Sequence, residues 1–303
     1  MNWLIQLYQT LLSCAKIAVR SRFGLKGHKV GNERIIVIGN GPSASEFLQN
    51  LPAQAKNIPL LAVNMFAGEQ SFTSLQPAFY LMSDHAFFEF EEQHFHHPEK
   101  HPLVKKNPAY AQTQTQVNRT WQGLFSANWP IVLFVPQIYS KSYPVKKAME
   151  NPALNVVVWN YTVVKGFSWF ENFIYAKGLG SPQCQNVVNA CIFQAINAQF
   201  KEIYLVGIDN NFHRNISVGQ DNHIYITDNH FYEVDKKVMP LMRVDSNGKP
   251  VFVQLHQFFN SLSKAFYAYN RLRSYADGRK VRVFNSTAGS FVDAFERKLL
   301  NDL

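Results

Sequence analysis

The sequence predicts an α/β domain built on a mostly parallel sheet, and three observations lead there. Short apolar runs such as "RIIVIG", "PLLAVN" and "KEIYLVGID" each stop at Gly, Asn or Asp. Stretches with apolar residues at helical spacing alternate with them, which is the pattern of parallel strands joined by crossover helices. The chain has 303 residues, 47% of them apolar. That is enough to bury a large core and too apolar for global disorder.

The elements follow in order. At the start, Trp3, Leu4, Leu7, Tyr8, Leu11, Leu12 and Ala15 repeat at helical spacing, with Lys16, Arg20, Arg22 and Lys26 after them. Gln6, Gln9, Thr10 and Ser13 interrupt the apolar run, which falls short of the roughly 20 residues of a membrane span. A signal peptide carries its positive charge before the apolar part, and here the charge comes after it. Residues 1–30 therefore read as an amphipathic, basic helix, suited to an anionic membrane face or to packing as an extra helix on the domain.

Residues 31–303 read as the domain itself. "RIIVIG" is a buried strand, "SASEFLQNL" a helix, and "PLLAVN" and "AFYLMSD" further strands. The region of about 89–122, polar and rich in His and Pro, reads as a long loop or lid. "WPIVLFV" and "NVVVWNY" are strands, Asn186 to Ala198 is a helix, and "KEIYLVGID" is a buried strand ending on an acid. A polar stretch from Asn210 to Asn229 precedes a long helix from about Val251 to Tyr275, with Gly278 as its stop. "KVRVFNST" adds a last strand. One Rossmann-like domain accounts for all of this.

The formal net charge of +9, from 30 basic and 21 acidic residues, suits anionic partners such as nucleotides or acidic lipid head groups. No basic run of the nucleic-acid type and no zinc-finger spacing occurs, so nucleic acid is not an expected partner. Cys14, Cys184 and Cys191 are odd in number and form no CxxC pair, which fits a reducing compartment.

The turn "GNGPS" bears most on function. Gly39 and Gly41 permit unusual backbone angles and close approach of a ligand. Ser43 and Glu46 are spaced as a capping box. A helix start after a strand is a ready anion site, so the turn is expected to hold a phosphate, with Asn40 offering an amide to a ribose or base. It is neither a Walker loop nor GxGxxG.

Ligands of open α/β sheets bind beyond the carboxyl ends of the strands. Asn64, Ser83, Asp84 and Asp209 each follow an apolar strand and would line one crevice with Asn40. His230, in "TDNHFYE", is a natural proton acceptor near neutral pH. His94, His96, His97 and His101 match no metal spacing and read as a solvated loop. No Asp-x-Asp occurs.

Taken together, "IIVIGNGPS", "AVNMF", "SDHAFFE", "FKEIYLVGIDNNF", "DNHFYE" and "VRVFNST" resemble, in order, segments of the bacterial lipooligosaccharide sialyltransferases. They are also similar to the wider superfamily that includes archaeal 6-hydroxymethylpterin diphosphokinases. The resemblance spans about Arg34 to Leu300. It implies a GT-A variant of the Rossmann-like fold, a CMP-activated sugar as co-substrate, inversion at the anomeric centre, and no metal or other cofactor.

By that resemblance Asn40, Gly41 and Ser43 sit at the CMP, and Asn64 contacts nucleotide or sugar. Ser83 and Asp84 lie near the donor sugar. His230 is the general base, and Asn285 and Ser286 border the nucleotide pocket. The family's two tyrosines that steady the leaving phosphate are absent after "GID", where Asn210, Asn211 and Phe212 stand. Tyr225 is the nearest tyrosine, and Asn211 and Tyr225 stand among the expected substrate-binding residues. No counterpart of the family's donor-sugar Arg and Ser occurs around Gln183 to Val188, so Kdo is a donor as well placed as sialic acid.

The expected function is an inverting glycosyltransferase making a bacterial surface glycan or glycolipid, in the cytoplasm or peripheral on the inner face of the inner membrane. A homo-oligomer is compatible with this. Two alternatives stay open: an ATP-dependent diphosphokinase of the pterin type, with magnesium at Asp84 and Asp209, and a non-catalytic nucleotide-sugar-binding module.

Overall fold

The computed structural model describes residues 3–31, 33–106, 110–227, 238–245 and 249–300. Helix α1 (Trp3–Arg20) precedes β1 (Arg34–Ile38), α2 (Ala44–Gln49), β2 (Leu60–Val63), α3 (Gln70–Leu75) and β3 (Phe79–Leu81). Then come α4 (Glu92–His96), α5 (Pro102–Lys106), α6 (Tyr110–Phe125), β4 (Ile131–Pro136), α7 (Tyr143–Ala148) and β5 (Leu154–Trp159). Helices α8 (Ser168–Ala176) and α9 (Val187–Asn197) lead into β6 (Glu202–Val206). Short strands β7 (Ile216–Val218), β8 (Ile224–Thr227), β9 (Val238–Pro240), β10 (Met242–Val244) and β11 (Pro250–Phe252) follow. The long α10 (Leu255–Gly278), β12 (Arg282–Asn285) and β13 (Glu296–Arg297) come last.

Eight strands form one sheet in the order β13-β12-β6-β1-β2-β3-β4-β5, and every neighbouring pair is parallel. The α/β expectation holds. From β1 the chain winds outward through β5, then returns to place β6 on the other side of β1. That reversal is the topological switch point, where strand ends part and leave a crevice.

Alternation along β1 shows why helices cover both faces. Ile35 and Val37 pack with residues of α8, α9 and α10 such as Ile174, Ile192 and Leu272. Ile36 and Ile38 face the opposite way, with Val117 and Trp121 of α6 and Val145 of α7. All four strand residues are fully buried, as a parallel strand between two helical layers must be. Among the described residues no helix is long and apolar enough to cross a membrane.

Two expectations need correction. Among the described residues, the region of about 89–122 is a helical layer (α4, α5 and α6) rather than a loop. Trp121 is fully buried and donates its Nε1–H to the Phe87 carbonyl at 2.7 Å, and buried Asn118 donates to the Phe95 carbonyl at 2.9 Å. The His/Pro content hid the helical stripe Val117, Trp121, Leu124. Within the same layer His94 and His101 are buried, with ring centroids 5.1 Å apart, while His96 and His97 are exposed. Helix α10 starts at Leu255, because Pro250–Phe252 pairs with β10 instead, and Gly278 is its last residue.

His101 accepts the Leu103 N–H at Nδ1, 3.2 Å, and contacts the Glu89 carbonyl through Nε2 at 3.1 Å. Nδ1 as acceptor makes Nε2 the donor, so the ring is neutral. Burial, the largest influence, pushes its pKa down, with His94 adding to the effect against the Glu89 carbonyl bond. The unfolded chain therefore binds more protons below about pH 6.5, and stability falls as pH drops from there through the lower folded value. Urea unfolding between neutral and acidic pH is expected to show a steeper loss in the wild type than in His101→Gln. Equal slopes refute the assignment.

Candidate functional site

The switch point is built by direct backbone contact between the ends of β1 and β6. Gly39 N–H donates to the Val206 carbonyl at 2.8 Å and Gly41 N–H to the Gly207 carbonyl at 2.9 Å, carrying the strand pairing past both strands. A Cβ on Gly41 would lie 2.0 Å from Asp209 Oδ2 and 2.7 Å from the Gly207 carbonyl oxygen. Gly207 itself has φ +67, and its Cβ would meet Ala44 at 2.7 Å. The glycines thus admit the protein's own second turn.

Ser43 has the same explanation. It makes no capping bond to α2. Its N–H and Oγ–H both donate to Asp209 Oδ2, at 3.3 and 2.8 Å. The capping box is therefore absent, and the place expected for a phosphate holds a carboxylate, which would repel one. Charge-assisted bonds of this kind contribute about 1.5–3 kcal/mol each, so the turn is clamped rather than open.

Beside this clamp lies a crevice of about 730 Å³, within the roughly 300–1,000 Å³ of small-molecule sites. Asn40, Gly41, Asn64, Ser83, Asp84, Asp209 and Asn211 line it, as the sequence suggested. Asn40 Nδ2 donates to the Val63 carbonyl at 3.3 Å, bridging the ends of β1 and β2. Asn64 has φ 47, and its buried Oδ1 lacks a hydrogen-bond partner among the described residues. Left-handed backbone and an orphaned acceptor are features that gather at ligand sites.

Three expected residues lie elsewhere. Tyr225 turns its hydroxyl to Asp221 Oδ2 at 2.8 Å, while its neighbours Ile226 and Thr227 face the crevice. The hydrogen bond to Asp221 holds the phenol there. Asn285 is buried, donating to the Val292 carbonyl at 2.8 Å and accepting from the Thr287 N–H at 3.2 Å. Ser286 Oγ–H is taken by the Lys298 carbonyl at 2.6 Å. Both brace the loop behind β6, whose Thr287 hydroxyl accepts the Ile208 N–H at 3.1 Å. His230 lies outside the described residues.

The structure adds residues that the motifs missed. Tyr139 and Tyr161 enter the crevice from beyond β4 and β5. The rule about strand ends that found Asn64 would have found them too. Tyr139 stacks on Phe88 at 4.4 Å, and burial pushes its pKa up to about 12. The Tyr161 hydroxyl donates to the Cys184 carbonyl at 2.8 Å, and burial raises its pKa as well. Both phenols are neutral donors at working pH. Asn186 and Asn210 reach the crevice while donating to one buried hydroxyl, that of Tyr269 on α10, at 3.0 and 2.8 Å.

His85, also in the crevice, places Nδ1 3.1 Å from Asp84 Oδ1. The Asp84 hydrogen bond is the main influence and raises the His85 pKa against partial burial. Burial would raise Asp84, but the bonds from His85 and the Ala86 N–H outweigh it and hold the carboxyl below its ordinary value. Among the described residues the site thus has one imidazole with an acidic orienter, two phenols and several carboxamides. Among the described residues no three His, Cys, Asp or Glu side chains converge as a cation site would need.

Gly41→Ala is expected to destabilise the fold by about 1–3 kcal/mol, the usual cost of overpacking, read as a lower urea midpoint. An unchanged midpoint would show that the turn is not clamped against β6.

No protein-family profile and no curated protein sequence matches the chain. Among solved structures, the MAf glycosyltransferase from Magnetospirillum magneticum AMB-1 aligns with 100% of this chain and 39% of its own, at 13% identity and a TM-score of 0.45. The chain thus spans about two fifths of that protein's length.

Proposed function

We propose that the chain is an inverting, metal-independent glycosyltransferase that moves an acidic keto-sugar, sialic acid or Kdo-like, from CMP to a bacterial surface glycan or glycolipid. The observation that carries the reading is the crevice at the β1/β6 switch point, lined by neutral amide and phenol donors beside the His85–Asp84 pair. The CMP donor rests on the resemblance of the GNGPS, KEIYL–GID and DNHFYE segments.

The chemistry follows from the bond broken. The anomeric carbon leaves the CMP phosphate oxygen through an oxocarbenium-like state, and the acceptor oxygen attacks while giving up its proton. Fixed donors that meet the departing phosphate charge supply most of such a rate enhancement. In this reading Asn64 and Tyr139 meet that charge, Tyr161 braces the wall through Cys184, and His85, kept protonated to higher pH by Asp84, adds a positive charge. The proton from the acceptor goes to His230, the base that the resemblance implies. The clamp at Ser43 moves the phosphate away from the start of α2 and toward these side chains.

Thermal shift against CMP, UDP, GDP and ATP tests the donor. CMP at 100 times its Kd should stabilise by about 2.7 kcal/mol, and a response to ATP alone would favour the diphosphokinase instead. His230→Ala should lose about 10²–10⁴-fold in turnover while keeping CMP affinity. If His85→Ala shows that pattern and His230→Ala does not, the base is His85 and its role on the phosphate is refuted.

The pH dependence has a definite sign. A positive His85 is lost as pH rises through its raised pKa, so donor cleavage should fall on the alkaline side, and His85→Gln should flatten that limb. An unchanged profile removes His85 from the mechanism.

A further inference from the structure

Helix α1 is mounted the wrong way round for a helix that belongs to a core. Its docked side is polar. The Ser13 hydroxyl donates to the Lys165 carbonyl at 2.7 Å and accepts the Lys165 N–H at 2.9 Å. Thr10 Oγ1 accepts the Phe167 N–H at 3.2 Å, and Ser21 donates to the Leu179 carbonyl at 2.7 Å. Ile17 is the apolar residue of the helix buried among them.

The opposite side is apolar and open. At 100° per residue, Tyr8, Leu11, Leu12, Ala15 and Val19 share one face. Tyr8 is 63% exposed, Leu11 61% and Val19 84%, and no charged residue interrupts that face. The apolar surface continues onto α8. Trp3 lies 6.1 Å from Phe167, whose ring stacks at 6.4 Å on Trp169, and Trp169 and Phe173 are themselves exposed.

Positive charge flanks this surface. Lys16 and Arg20 stand beside the apolar face on α1, Arg22, Lys26 and Lys29 follow it and are exposed, and no acidic residue occurs before Glu33. An apolar face with basic residues at its margin and aromatic rings at its edge matches the head-group boundary of an anionic bilayer.

We propose that the outer face of α1, continued by Trp169 and Phe173, docks the protein in the plane of an anionic lipid bilayer. The helix lies flat, its apolar residues enter the acyl boundary, and Lys16, Arg20 and Lys26 sit among the head groups. The docked side chains also tie α1 to the mouth of the crevice: Arg22 donates from Nη1 to Ser140 at 2.8 Å, beside Tyr139, and its N–H donates to Asn160 at 2.8 Å, beside Tyr161. This surface is independent of the reading of the crevice, and its test makes no use of activity.

Flotation of the full chain with phosphatidylcholine vesicles, with and without phosphatidylglycerol, is the test. Binding is expected to the phosphatidylglycerol vesicles, and to weaken as salt is raised. Leu11→Ser with Val19→Ser should lower partitioning at least about tenfold without changing the unfolding midpoint, because both residues are exposed. Lys16→Gln, Arg20→Gln and Lys26→Gln together should lower it on the order of a hundredfold at low salt. No flotation of the folded wild type, or flotation that neither set of changes affects, overturns the proposal. So does a concentration-dependent dimer in sedimentation that Leu11→Ser with Val19→Ser dissolves without any vesicle binding, since the face would then belong to a second copy.

Discussion

The interaction on which the rest depends is the clamp between the ends of β1 and β6. Two turns cross there with no room for a Cβ at Gly41, and Asp209 closes the crossing by taking both donors of Ser43. Parallel sheets wound in two directions leave a gap where the winding reverses. Here the floor of that gap is a rigid backbone contact, and the ligand-sized space opens beside it, toward β2, β3, β4 and β5.

That displacement decides the electrostatics. The strand-to-helix turn, a common seat for phosphate, already carries the Asp209 carboxylate. The remaining polar groups are carboxamides, two phenols raised by burial, and His85 oriented by Asp84. They are supported from behind by a layer that touches no crevice: Tyr269 under Asn186 and Asn210, and the 285–292 loop under Ile208. Preorganised dipoles of this kind stabilise developing charge because they need not reorient.

Helix α1 shows how little amphipathicity says about direction. Its periodicity marks two faces, and ordinary domains bury the apolar one. In this chain the hydroxyls of Thr10, Ser13 and Ser21 find backbone partners in residues 165–167 and 179. Those bonds hold the polar face inward and leave the leucines outside.

Local pattern by itself determined the α/β class, every strand of the sheet except β13, and the residues standing at the carboxyl ends of β1, β2, β3 and β6. Asn40, Asn64, Ser83, Asp84 and Asp209 were legible because a strand projects its last residue into the crevice whatever surrounds it. Tertiary structure alone decided which neighbours compete for those groups. Ser43 was lost to Asp209, Tyr225 to Asp221, and Asn285 to the loop behind it, while Tyr139 and Tyr161 stand two or three residues past the ends of β4 and β5, where the strand-end rule reaches but no motif pointed. Spacing along the chain records what a segment prefers. It does not record which of two polar groups, far apart in sequence, will reach the same donor first, and contact in three dimensions settles that.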